Sequence, residues 1–428
     1  MREKRAAPAV GLDTTLTVNQ ERLGASIRDL ARVGQYVDGT SGLIGVNRLA
    51  LSDADGEGRR LVCEWMEDAG LEVLVDAVGN VFAIRSGLDQ DAAPVMMGSH
   101  LDSVPTGGAF DGALGVLGGL EVIRTLNEER QLTRRPLVVA IFTEEEGVRF
   151  GTDMLGSAVA TGRIPLRTAY DLEDPAGETV HGALERIGFL GTERIGLMRP
   201  HAYVECHVEQ GPILGNLGAD IGVVTGVQGI SWQELTITGT AAHAGTTPIG
   251  SRRDAGLLAA RINIRMREMA LSGDYGDLRA TMGVIRPYPG GVNVIPGQAV
   301  VSIDLRNPDD AEMKRSMDDL REYCEDCAVR EGLDLRWRQT ARTNAVPFDP
   351  SMQQLVEDSA RARGLIVHRM IAGAGHDAQE WARLTKAGMI FIPGEFDGIS
   401  HNPRERSTPE QCANGVNTLL TTVLALAR

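Results

Sequence analysis

A chain of 428 residues is long enough for two domains of ordinary size. Hydrophobic residues at 43% and charged residues at 24% fit a soluble globular enzyme, and a formal net charge of -15 argues against nucleic acid, which needs a basic face. No apolar run approaches the roughly 20 residues that span a bilayer, so neither nucleic acid nor membrane is expected as a partner.

The N-terminus is basic at first but has no continuous apolar stretch of the kind a secretion signal requires. A cytoplasmic location is the expectation. Cys63, Cys206, Cys324, Cys327 and Cys412 form no even framework of the disulfide type. Cys324 and Cys327 make a single CxxC, but their surroundings, DDLREYCEDCAVREGL, read as a helix that turns both toward one face.

Residues 18–35 and 58–70 carry the apolar spacing of helices. LEVLVDA, VFAIRSG and VMMGS follow as strands, then the helix LGVLGGLEVIRTLNEE and the buried strands LVVAIFT and AYVECHV. Continuous apolar strands between helices predict an α/β fold with a mostly parallel central sheet flanked by helices. Near Gly229 the texture changes to alternating, half-exposed strands. ISWQELTITGTAAHAG, a helix with Leu258, Ile262, Met266 and Met269 on one side, ATMGVIRP, AVVSIDLRN, the helix AEMKRSMDDLREYCEDC and LDLRWRQ make a two-layer α+β unit. After about residue 340 the first texture returns, ending in the strand MIFIPG and a closing helix. The expected organisation is a catalytic domain over 1–228 and 341–428, interrupted by an inserted lid or dimerisation domain over 229–340.

Open α/β sheets place ligands at strand ends, and the polar residues there are of one kind. One strand ends in His100 and Asp102, a glycine-rich turn carries Asp111, and another strand ends in Glu144, Glu145 and Glu146. AYVECHVEQGP delivers His207, and His401 follows the last strand. Each residue alone has an ordinary explanation as a hydrogen-bonded strand end or a solvated turn. Together they offer the imidazole nitrogens and carboxylate oxygens that divalent ions prefer. The residues by themselves point to a metal hydrolase and no further.

The strings GSHLDSVPTGGAFDGALGV, FTEEEGVRF, HVEQGP, GTAAHAGTTPIGSRRDA, NVIPG, DLRN, GAGHDA and GISHNPRE, in this order over most of the chain, resemble the M20-type metallopeptidase superfamily. Within it they resemble the branch of N-carbamoyl-L-amino-acid hydrolases, β-ureidopropionases and allantoate amidohydrolases. The resemblance implies two divalent metal ions (zinc first; manganese, cobalt or nickel also suit), bridged by Asp111. His100 and His207 would complete one half-site, Glu146 and His401 the other. A histidine at 207 marks the amidohydrolase branch, since peptidase members usually carry a carboxylate there.

The resemblance further implies that the Asp102 carboxylate orients His100, and that Glu145 is the general base. His243 would stabilise the oxyanion, often from the partner subunit in dimeric relatives. Asn293 and Arg306 would hold a substrate carboxylate and Gln210 would contact the substrate near the metals. His376 also matches, either orienting substrate or capping the helix that follows it. Gly394 stands where many relatives have serine. The implied activity is hydrolysis of an N-carbamoyl-L-amino acid by a homodimer formed through the inserted domain. β-Ureidopropionate, allantoate or an N-acyl or amide-conjugated amino acid are the alternative small-molecule substrates, and a peptidase or a non-catalytic relative are the readings of other classes.

Overall fold

The runs VMMGSH and LVVAIF leave no residue exposed, the pattern of strands covered on both faces. In the computed structural model, which describes residues 11–428, they lie side by side and parallel. The chain divides into two units, one formed by the segment up to Thr225 together with Pro347–Arg428, the other by Gly226–Val346.

In chain order the first unit contributes strands β1 (Glu72–Val75), β2 (Val81–Arg85), β3 (Val95–His100), helix α1 (Ala113–Glu128), β4 (Leu137–Phe142), β5 (Ala202–Val208) and β6 (Ile221–Val227). The second unit contributes β7 (Gly229–Thr238), α2 (Ala255–Ser272), β8 (Arg279–Thr281), β9 (Ile285–Tyr288), β10 (Gln298–Asn307), α3 (Asp310–Glu331) and β11 (Asp334–Thr343). Then come β12 (Val346–Pro347), α4 (Pro350–Ala362), β13 (Val367–Ala372), β14 (Lys386–Ile392) and α5 (Pro409–Leu426).

The nine-stranded sheet of the first unit runs β12-β6-β14-β5-β3-β4-β2-β1, with β13 also pairing β6. Its centre, β14-β5-β3-β4, is parallel. The pairs β14–β6, β4–β2 and β2–β1 are antiparallel, so the sheet is mixed around a parallel centre. The reason on one side is local: β1 and β2 are joined by the tight turn Asp76–Asn80, which only an antiparallel pair can use. Val116, Leu120 and Ile123 of α1 join Val139, Val204, Ile390, Val416 and Leu420 in one buried core. Three short helices, Leu155–Ala160, Leu166–Tyr170 and Val180–Ile187, fill a stretch whose apolar periodicity is too short to mark an element.

In the second unit the antiparallel sheet runs β8-β10-β7-β11, with β9 also on β10. ATMGVIRP is two strands rather than one, because Gly283 and its neighbours break the run where Ser302 bonds Val284. Leu258, Ile262, Met266 and Met269 of α2 pack with Leu320, Cys324 and Cys327 of α3 and with Leu235 and Val301. The methionine face and the CxxC pair are therefore packing surfaces.

Candidate metal centre

The parallel strands end together, and three of them carry ligand-type side chains at or just past their ends. His100 closes β3, His207 lies next to the end of β5, and Glu144, Glu145 and Glu146 follow β4 by two to four residues. Asp111 sits one residue before the glycine that opens α1. That glycine, Gly112, has φ 65°, and a Cβ on it would lie 2.4 Å from the His100 ring. Only glycine lets the turn bring Asp111 past the imidazole.

Asp111 has one carboxylate oxygen on each side of the cluster. Its Oδ1 is 3.1 Å from His207 Nε2 and 3.7 Å from His100 Nε2. Its Oδ2 is 3.5 Å from His401 Nε2, and His401 Nε2 is 3.1 Å from Glu146 Oε2. Among the described residues, His100, Asp111 and His207 thus form one metal-capable group and Asp111, Glu146 and His401 a second, while Glu205, His207 and His376 form a third that lacks Asp111. His100 and His207 each direct Nδ1 to a backbone carbonyl at 2.9 Å, of Asp102 and Val208 respectively, which leaves Nε2 to face the cluster.

The electrostatics fit a cation. Burial, with Asp377, Glu146 and Asp111 nearby, pushes Glu145 well above the usual carboxylate range. Burial and Asp111 raise Glu146, and its Oε1 is buried without a hydrogen-bond partner. Asp111 is held well below the usual range, since the His207 hydrogen bond and the imidazoles outweigh its burial. His207 rises to about 9 because the Asp111 carboxylate outweighs burial, and His401 rises to about 9 through its bond to Glu146. Crowded carboxylates with an orphaned oxygen, faced by imidazole nitrogens, are a donor set suited to divalent ions.

Glu145 lies between the two tasks of ligand and base. Its Oε2 is 3.4 Å from His100 Nε2, and it belongs to none of the metal-capable groups. Glu144 holds the turn, its Oε1 accepting the N–H groups of Arg149 and Phe150 at 3.1 and 2.8 Å. Asp102 differs from expectation in detail. Its backbone carbonyl, not its carboxylate, orients His100; the carboxylate is 3.9 Å from Nδ1 and instead accepts the N–H groups of Glu145 and Glu146 at 3.4 and 3.3 Å.

Gln210 donates from Nε2 to Asp111 Oδ2 at 2.8 Å. Its backbone, with that of Glu144 and His401, lies in the left-handed region (φ 59°, 53° and 55°), a clustering of strain typical of functional loops. His376 precedes the helix Asp377–Trp381 but makes no side-chain cap. Its buried ring packs edge-on to His207, centroids 4.5 Å apart, and neither nitrogen has a partner. Burial, reinforced by His207, holds it well below the usual histidine range, hence neutral.

In the second unit, Ala242–His243 pairs with Val294–Ile295, and Ala244 N–H donates to the Asn293 carbonyl, so His243 and Asn293 are brought together. His243 Nδ1 accepts the N–H groups of Gly245 and Thr246 at 3.0 and 3.2 Å, which leaves the proton on Nε2. Arg306 lies on β10 and forks onto Asp304 with Nε at 3.2 Å and Nη2 at 3.1 Å. His181, His201 and His368 stand outside the metal-capable groups.

Three neighbours of the cluster escaped the sequence reading. Glu205, fully buried on β5, accepts from Ser99 Oγ at 2.6 Å and from Ala378 N–H at 2.9 Å. Ser400 and Glu405 contact Asp111 by hydrogen bonds. The signal for Ser400 and Glu405 was present, since both flank His401 within GISHNPRE, but nothing local distinguishes them from loop residues.

The model of peptidase family M20/M25/M40 matches residues 96–425. An N-carbamoyl-L-amino-acid amidohydrolase of Rhizobium meliloti is 42% identical over 96% of this chain and 97% of its own length. A ureidoglycolate hydrolase of Arabidopsis thaliana is 32% identical over 98% of this chain and 89% of its own. An amidase of the hydantoinase/carbamoylase family from Burkholderia multivorans superposes with a TM-score of 0.91 at 42% identity, covering 96% of this chain and 99% of that one. The chain belongs to peptidase family M20/M25/M40.

Proposed function

We propose that this chain is a metal-dependent amidohydrolase that cleaves the ureido C–N bond of an N-carbamoyl-L-amino acid, yielding the free amino acid, carbon dioxide and ammonia. The observation that carries the reaction class is the division of Asp111, one oxygen toward His100 and His207 and the other toward His401. Full-length similarity to the Rhizobium meliloti amidohydrolase supports the substrate class.

His100, Asp111 and His207 would hold one divalent ion, and Asp111, Glu146 and His401 the other. Such ions polarise the ureido carbonyl and lower the pKa of water. Zinc suits the donor set, as do manganese, cobalt and nickel. Glu145, a ligand in neither group, takes the proton of the attacking water and delivers it to the leaving nitrogen. Its raised pKa suits a group that must hold a proton between those two steps. Gln210 steadies Asp111 and meets the substrate, and His376 offers a neutral imidazole beside His207.

The second unit supplies the grip. His243, with its proton on Nε2, donates to the tetrahedral oxyanion. Asn293 and Arg306 bind the substrate carboxylate, the guanidinium giving the planar fork that matches it. The protein acts as a homodimer assembled through this unit. Its five free cysteines favour the reducing cytoplasm, and no helix among the described residues is long and apolar enough to cross a membrane.

A panel of N-carbamoyl-L-amino acids, β-ureidopropionate, allantoate, ureidoglycolate and N-acetyl amino acids, assayed on one metal-reconstituted preparation, tests the reading. The N-carbamoyl series is expected to give the highest kcat/KM. A clear preference for allantoate or ureidoglycolate would replace the substrate, and turnover of dipeptides alone would replace the class.

A further inference from the structure

A carboxylate that serves two ions must present one oxygen to each, yet the last torsion of an aspartate is soft and broadly populated. Something has to fix it. Glu405 is 7% exposed, and its Oε1 accepts the backbone N–H groups of Phe110 at 2.9 Å and Asp111 at 3.0 Å. Its Oε2 meets the hydroxyl of Ser400, and the same hydroxyl lies 2.7 Å from Asp111 Oδ2. One buried side chain therefore reaches both the backbone of Asp111 and, through serine, its carboxylate. The fit is tight: a Cβ on Gly108 would lie 2.4 Å from Glu405 Cβ.

We propose that Glu405, acting through Ser400, is a positioning residue that fixes the rotation of the Asp111 carboxylate so that one oxygen faces each half of the metal centre. The inference rests on the two-ion reading given above. Its chemistry is that of neutral and charge-assisted hydrogen bonds, with no bond made or broken. Glutamine at 405 keeps the arrangement, since its amide oxygen accepts from Phe110 and Asp111 while its NH2 donates to Ser400 Oγ. The serine proton is then left for Asp111. Alanine removes all of it.

The test compares wild type, Glu405→Ala, Glu405→Gln and Ser400→Ala, each stripped of metal by chelation and titrated with Mn2+, with bound ions counted and thermal unfolding in chelator followed in parallel. Wild type should bind two ions. Glu405→Ala should lose about 10–100-fold in affinity, the usual effect of removing a group that orients a ligand. Ser400→Ala should weaken one ion more than the other, because it contacts Oδ2 alone, and Glu405→Gln should stay close to wild type. Unchanged affinities in both alanine variants, or equal losses in the alanine and glutamine variants at 405, overturn the proposal. If Glu405→Ala does not fold, Ser400→Ala and Glu405→Gln decide it. A wild type that binds no divalent ion overturns the two-ion reading itself, an outcome distinct from failure of the variants.

Discussion

Asp111 Oδ1 and His207 Nε2 stand 3.1 Å apart with both side chains almost wholly buried. The carboxylate and the imidazole hold each other charged, which is why burial fails to neutralise either. Without an ion, Asp111 thus favours a proton on the His207 ring, whose Nε2 also faces the N–H of Gly112 at 3.1 Å.

Metal binding must displace that proton. His207 and His401 both titrate near 9 in the metal-free protein, so at neutral pH both rings are protonated and each must lose its proton to coordinate through Nε2. Apparent metal affinity should therefore rise with pH through neutrality and level off near 9. Calorimetric titration of apo-protein in buffers of different ionisation enthalpy should report protons released per ion, falling toward zero above that pH. A pH-independent affinity between 6 and 8, on the order of threefold or less, would contradict the pairing.

Glu145→Gln should separate chemistry from metal binding. Glutamine keeps the shape of the side chain and removes the group that carries the proton, so kcat should fall on the order of 10²–10⁴-fold. Metal content, measured by elemental analysis, should stay at the wild-type value because Glu145 belongs to none of the metal-capable groups.

Arg306→Ala should act on binding. Loss of a charge-assisted pair with the substrate carboxylate is worth about 1.5–3 kcal/mol, roughly 10–100-fold in KM. Amide analogues of the substrate, which lack that carboxylate, should show a much smaller change. Arg306→Lys should recover little, since lysine cannot present the planar two-nitrogen fork that a substrate carboxylate accepts.

Gly112→Ala should damage the centre through the backbone. Its φ of 65° and the 2.4 Å approach of a Cβ to His100 oppose any side chain. Strain of this kind costs about 1–3 kcal/mol, which should appear as a lower Tm. Because the clash is with a ligand ring, the variant should also bind metal more weakly, whereas Gly70→Ala, with φ 79° and nothing near its Cβ, should change Tm alone.

Local chemistry determined much of this protein. Apolar runs such as VMMGSH and LVVAIF read as buried strands, and the polar residues gathered at or past strand ends, His100, Glu145, Glu146 and His207, were legible as a set, whereas Glu205 in the middle of β5 was not. The heptad-like face of α2 was legible for the same reason, a period that repeats within one element. Tertiary structure decided what those residues do to one another. Strand order places β3, β4 and β5 side by side, and it alone brings Glu405 to a backbone N–H 294 positions earlier. It also decided that the carbonyl rather than the carboxylate of Asp102 reaches His100, and that His376 is buried without a partner instead of capping its helix. Periodicity reports which face of an element is buried. Hydrogen-bond direction depends on ångström-scale placement across elements distant in sequence, and no local pattern encodes it.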